Sequence, residues 1–167
     1  MYKYMILLKS FNHSMCSFFR SLCQLLLLLM TAIVLAQVFF RYGLGDALTW
    51  SEEASRFLMV WLTFLASPVA YLEKSHIALD LISEKWGSNI KRLINIILHV
   101  LILLLILLIL WKSSAMVMRG FSISAASLPI PMAVAYAAIP FGFLAMLLIN
   151  LQLLSEELFG VEELGES

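Results

Sequence analysis

The chain has 167 residues, 62% hydrophobic and only 13% charged, and its mean hydropathy is +0.96. Soluble domains carry roughly a quarter charged residues to cover their surface, so this composition excludes one and points to an integral membrane protein. Its 11 Lys and Arg balance 11 Asp and Glu, which leaves no overall basic surface for nucleic acid and makes any functional electrostatics local.

Residues 1–20 set Lys3, Lys9 and Arg20 among aromatic and aliphatic residues, the composition of a short interfacial helix leading into the membrane. The apolar run over 22–40 reads as a first span. Val34 and Ala36 put small residues before Gln37, as a signal-peptidase site would. The long preceding segment and the continuation through Val38, Phe39 and Phe40 favour an uncleaved helix. Cys16 and Cys23 would stand about 10 Å apart along a helix, too far for a disulfide within the chain. They read as free thiols and small apolar filler, with reversible acylation as the alternative.

Between the first two spans the polar residues crowd together. Arg41, Asp46, Glu52, Glu53 and Arg56 sit beside Trp50, at the depth where hydrocarbon gives way to water. Ionisable groups there are costly if they face lipid, so they are expected to face protein, headgroups or one another. Anchoring of a helix end at the interface is the simpler explanation of each residue taken singly. Glu52 and Arg56 stand four apart with the acid first, the favourable order for a helical ion pair. Glu53 lies about 100° round from Glu52, and Arg41 at the end of span one is its expected cationic partner.

Span two is expected over 51–72. Pro68 within it removes a backbone hydrogen bond; a kink and a straightened helix end both fit, and Ser67 is placed to satisfy a freed carbonyl. Over 74–90, Ile77, Leu81, Ile82 and Trp86 recur at helical spacing while Lys74, Asp80, Glu84 and Lys85 need water, the pattern of an amphipathic helix along the membrane surface. Span three, 90–111, holds one ionisable interior residue, His99, which reads as a neutral imidazole bonded to a neighbouring helix. A Ser-rich connection over 112–127 follows. Span four runs over 128–154, with Pro129 and Pro131 suited to its first turn and Pro140 placed to bend it.

The fold class is therefore an all-α integral membrane protein, one four-span domain over 1–167 with an interfacial amphipathic helix between spans two and three. An even number of spans puts both termini on one side. Lys3, Lys9, Arg20, Lys74, Lys85, Lys91 and Arg92 share that side, against Arg41, Lys112 and Arg119 opposite. The excess of basic residues places both termini in the cytoplasm.

No span carries a carboxylate at its middle, which argues against a proton-coupled antiporter acting alone. His99 has no intramembrane histidine partner for haem. No metal cluster, nucleotide loop or activated nucleophile is legible. No enzymatic activity and no cofactor are expected, and the polar groups at the edges describe a partner or scaffold.

Three stretches carry a family resemblance. FRYGLGDALTWSEEASRFLMVWLTFLASPVA resembles the Arg-aromatic, Trp-x-Glu-Glu and downstream Arg pattern of the small membrane subunit of tripartite ATP-independent periplasmic (TRAP) transporters, the DctQ-like family. SHIALDLI is similar to its His-Ile-x-x-Asp segment, and SLPIPMAVAYAAIPFGF to the paired-proline entry, tyrosine and Ile-Pro of its last span. The matches run from about 38 to 145 in the family's order. The chain departs where the family usually has glycine near Ala66, reading Ala66-Ser67-Pro68 instead.

The resemblance implies a bacterial inner-membrane transporter of three parts. A periplasmic binding protein captures an organic acid, a large membrane subunit moves it with sodium, and this small subunit braces the large one in the bilayer without forming the substrate site. Arg41, Trp50, Glu52, Glu53, Arg56, His76 and Asp80 then become candidates for fold stabilisation or subunit contact. A self-sufficient small transporter working as a homodimer is the alternative. A large membrane subunit and a binding protein encoded beside the gene would discriminate against it.

Overall fold

The computed structural model describes residues 2–46, 48–83 and 88–159. Among them the chain folds into α1 (Tyr2–Phe39), a π-helical turn (Phe40–Leu44), α2 (Thr49–Ser83), α3 (Ser88–Gly120), the short α4 (Ala133–Tyr136) and α5 (Ala138–Phe159). No strand is present among these residues, only an isolated antiparallel bridge between Ser124 and Pro131. Four segments are long and apolar enough to cross a membrane: Leu7–Leu44, Thr49–Glu73, Arg92–Gly120 and Ala133–Leu158.

The helices outrun the apolar stretches that mark them in the sequence. α1 is 38 residues long, about 57 Å, and no break separates an N-terminal interfacial helix from the first span. Likewise α3 continues through Lys112 to Gly120, so the connection to the last span begins later than the Ser-rich composition suggests. Helical hydrogen bonding propagates through any residue that does not actively break it, and neither segment contains proline. Residues 74–83 are helical and continue α2. Their side chains and residues 84–87 lie outside the described residues, and with them the amphipathic pattern over 74–90 and the candidates His76 and Asp80.

The corner between α1 and α2 is closed by Gly45, whose φ of 71° lies in the left-handed region that glycine enters without a Cβ clash. Its N–H donates to the Phe40 carbonyl, and the Asp46 N–H reaches the same oxygen at 3.2 Å. α2 then returns antiparallel to α1.

The last helix is the centre of the fold. α5 packs on α1, α2 and α3, whereas α1 and α3 do not touch one another among the described residues. The core follows this arrangement. Cys16 of α1 packs with Ile149 and Leu153 of α5, and Phe19 of α1 with Leu65 of α2 and Ala145 of α5.

Pro140 interrupts the last span, whereas Pro129 and Pro131, expected in its first turn, lie before it. Pro140 falls in the first turn of α5, where its missing N–H leaves the Tyr136 carbonyl without a helical partner and separates α4 from α5 at Ala137. Pro129 and Pro131 belong to the loop before α4.

Pro68 is buried inside α2 and deprives the Phe64 carbonyl of its helical donor. Ser67 does not take that carbonyl; its hydroxyl donates to the Thr63 carbonyl at 2.7 Å. Gly142 of α5 lies against the Phe64 oxygen instead, so closely that a Cβ at position 142 would stand 2.3 Å from it. The close approach of two helices thus comes from α5, although the chain lacks a glycine near Ala66.

Candidate functional site

The crowded polar stretch at the start of α2 resolves into two separate arrangements. Glu52 and Arg56 form the expected ion pair at 2.5 Å, with side chains 65% and 71% exposed. Such a pair contributes about 0.3–0.5 kcal/mol at most. Glu53 is buried, only 8% exposed, and it does not pair with Arg41.

The loop before α4 explains why. Residues 123–132 fold back on themselves, with the Ala125 N–H donating to the Ile130 carbonyl at 3.0 Å and the Met132 N–H to the Ile123 carbonyl at 2.8 Å. The tip of this fold aims three consecutive N–H groups at Glu53. Ala126 donates to Oε1 at 2.8 Å, while Ser127 and Leu128 donate to Oε2 at 2.5 and 3.1 Å. An ionised carboxylate is acceptor-only and suits such a cradle of amides. Arg41 lies exposed instead, its guanidinium 5.9 Å from the Tyr42 ring centre. The sequence supplies both charges but not the shape of the loop that competes for the acid.

Beside this clip the buried Ser51 turns its hydroxyl onto the Leu48 carbonyl at 2.6 Å. Trp50 is exposed, as an interfacial anchor would be. Trp61, one helical stretch below, ties α2 to α4 through Nε1–H to the Val134 carbonyl at 3.1 Å and packs on Phe141.

A second polar layer joins all four long helices toward the other end. Asn150 of α5, fully buried, accepts at Oδ1 from the Tyr71 hydroxyl of α2 at 2.7 Å and lies 2.9 Å from His99 Nδ1 of α3. Its amide N–H returns to the His99 carbonyl at 3.0 Å. Because the Asn150 oxygen can only accept, the imidazole in this network carries a proton on Nδ1.

Asn12 of α1 donates to Gln152 Oε1 at 2.7 Å and to the Leu148 carbonyl at 3.2 Å. Gln152 passes its own N–H to Glu156 at 2.9 Å, and Asn95 of α3 donates to Glu157 Oε1 at 2.8 Å. Arg92 caps the end of α5 by donating to the carbonyls of Glu157 and Leu158, where the helix dipole favours a cation. At the surface Arg20 of α1 pairs with Glu73 of α2.

His99 is thus one of two partners of Asn150 in a buried tie of three hydrogen bonds. Interhelical hydrogen bonds in membrane proteins contribute about 0.6 kcal/mol each. His99→Gln, which keeps a donor, should lower stability by under about 1 kcal/mol and retain most of the yield. Asn150→Leu loses three bonds together, about 2 kcal/mol. Thermal unfolding of the detergent-solubilised chain checks the order; a larger loss for His99→Gln would give the imidazole a role beyond packing.

Among the described residues no three His, Cys, Asp or Glu side chains come together to hold a metal ion. Cys16 is buried and Cys23 half-buried, both as free thiols. Asn12, Tyr71, Asn95, Gly142, Asn150 and Gln152 escape a reading that looks for charge. For Asn95, Asn150 and Gln152 the signal was present as amides within apolar runs, the last two in IPFGFLAMLLINLQLL above all. Amides so placed act as interhelical glue.

Four membrane-length helices, tied by amides and carboxylates and apolar on their outer faces, define a multi-pass membrane protein. Residues 30–160 match the family model of tripartite ATP-independent periplasmic transporters, DctQ component; the chain belongs to that family. It is 32% identical over 79 residues to a candidate TRAP transporter small permease protein of Haemophilus influenzae, covering 47% of this chain and 49% of that one. It is also 29% identical over 128 residues, 71% of its length, to the isethionate TRAP transporter permease protein DctMQ of Oleidesulfovibrio alaskensis. The matched regions span about half of the first relative and 20% of the second.

Proposed function

We propose that the chain is the small membrane subunit of a sodium-coupled TRAP transporter for organic acid uptake, bracing a large transport subunit without forming the substrate site and without catalysing a reaction. The observation that carries this reading is the use of the buried polar groups. Glu53, Tyr71, His99 and Asn150 are taken up in bonds between the chain's own elements, and the outer faces expose mainly Leu, Ile, Val and Phe. A part that moves substrate needs a fixed neighbour to move against, and a helical block tied at both ends supplies one.

Kinship with a protein named DctMQ, of which the match covers only a fifth, supports a larger membrane component as the partner. The third part, on this reading, is a periplasmic substrate-binding protein, and the complex sits in the bacterial inner membrane. The tagged chain should co-purify with the large subunit, and its removal should abolish sodium-dependent uptake of an organic acid. Uptake by the chain alone in liposomes would sink the reading and favour a self-sufficient homodimer.

Both termini are assigned to the cytoplasm on the distribution of basic residues. With Cys16 and Cys23 replaced, a cysteine at position 122 should react with an impermeant thiol reagent in intact cells and one at position 9 should not. The reverse pattern would invert the orientation.

A further inference from the structure

Where α1 and α2 run side by side, two hollows share a wall. One, of about 270 Å³, is lined by Lys9, His13, Arg20 and Glu73 among others. The next, of about 390 Å³, runs along the helix pair toward the bilayer interior past Cys23, Leu27, Leu62 and Ala66. Arg20, Val69 and Glu73 belong to both. A charged hollow thus opens directly into an apolar groove.

We infer that this composite cleft binds one anionic phospholipid, its phosphate among Lys9, His13 and Arg20 and one acyl chain along the groove between α1 and α2.

The order of the two parts along the helices fits a lipid. α1 enters the membrane in the direction from Lys9 through Arg20 to Leu27, so the charged hollow lies at the headgroup end and the groove at the acyl end. Ala66 and its neighbour one turn on, Ala70, keep the groove open where larger side chains would close it.

Charge selects the class of headgroup. Glu73 is already matched by Arg20, whereas Lys9 has no ion-pair partner among the described residues. Among the described residues the cleft therefore holds one uncompensated cation. A phosphodiester monoanion would neutralise it, and Arg20 keeps N–H donors beyond the one given to Glu73, enough for a second bond to the same phosphate. A zwitterionic headgroup would bring its own cation and leave that excess in place. Basic pockets between membrane helices bind anionic headgroups in this manner. The proposal does not depend on assembly with a larger subunit.

The test is lipid retention by the purified full chain, read by native mass spectrometry as phosphatidylglycerol or phosphatidylcholine is added to a neutral detergent. Phosphatidylglycerol should be retained at about tenfold lower concentration, the size of one charge-assisted contact. Lys9→Gln should remove most of that preference, while Lys112→Gln, a cation outside the cleft, should leave it intact. Filling the groove with Ala66→Leu and Ala70→Leu should weaken retention of both lipids.

Equal retention of the two lipids, or equal loss with Lys9→Gln and Lys112→Gln, would overturn the assignment. So would displacement of the lipid by millimolar inorganic phosphate, which would mark a site for a free anion. Lys9 is exposed and forms no ion pair among the described residues, so its variant reports on the cleft without removing a tie seen within the fold.

Discussion

Glu53→Ala should be the most damaging single change at a charged residue of this chain. It removes an ionised acceptor from three consecutive amides and leaves the Ala126, Ser127 and Leu128 N–H groups facing a hole. Those amides belong to a loop residue run that has no helix of its own to satisfy them, so the fold over 123–132 loses its attachment to α2. The expected result is a fall of about 5 °C or more in the melting temperature of the solubilised chain and poor yield of any complex it enters. Glu52→Ala should move the midpoint by no more than about 1–2 °C, because its partner Arg56 stays hydrated. Arg41→Ala should behave like Glu52→Ala. The exchange Arg41→Glu with Glu53→Arg should rescue nothing, since an arginine at position 53 has no acceptor to offer the amides. Similar midpoints for all three alanine variants would remove the clip from the account of stability.

Gly142→Ala is expected to have the opposite sign from the same change in an ordinary helix. Alanine normally stabilises a helix interior by about 0.5–1 kcal/mol over glycine. Here the new Cβ would stand 2.3 Å from the Phe64 oxygen and 3.0 Å from its carbonyl carbon. Those are backbone atoms of α2, so no rotamer change relieves the contact and the two helices must separate. Overpacking of this kind costs about 1–3 kcal/mol, enough to outweigh the gain in propensity. Separation also strips the Phe64 oxygen of the Cα–H that covers it where Pro68 offers no N–H. Gly142→Leu should prevent recovery of folded protein altogether. A melting temperature for Gly142→Ala equal to or above that of the parent would show that α2 and α5 are not fixed at this crossing.

Both expectations turn on contacts across the chain, and this is where sequence reading stops. Helical class and four membrane-length runs follow from apolar content alone, and the Glu52–Arg56 pair follows from helical spacing, which makes it local. The Glu53 partner was not legible. Charge complementarity pointed to Arg41, the nearest cation on the same side, whereas the actual donors are backbone groups whose direction depends on how residues 123–132 fold. Pro140 was legible in part: its interruption of the last span could be expected, but its place in the first turn of α5 shows only once that helix is seen to start at Ala138. The amide layer was visible in part. His99 stood out as ionisable, but Asn150 is what ties both it and Tyr71, themselves 3.3 Å apart, to α5, and an uncharged residue in an apolar run draws attention only when polar groups in lipid are counted one by one.

The central place of α5 has a consequence for synthesis. Asn12 is bonded to residues 136 and 140 positions further along the chain, and both Tyr71 and His99 depend on Asn150. While the ribosome is still making the third helix, the earlier ones stand in the bilayer without their partners on α5, and α1 and α3 make no contact with each other among the described residues. The nascent protein is then a helical pair and a loose third helix. Only the arrival of the last helix fuses them, all at once and from the middle. A chain stalled or cut short before Asn150 would carry bare amide, phenol and imidazole groups in lipid, a chemical signature that distinguishes an unfinished molecule from a finished one.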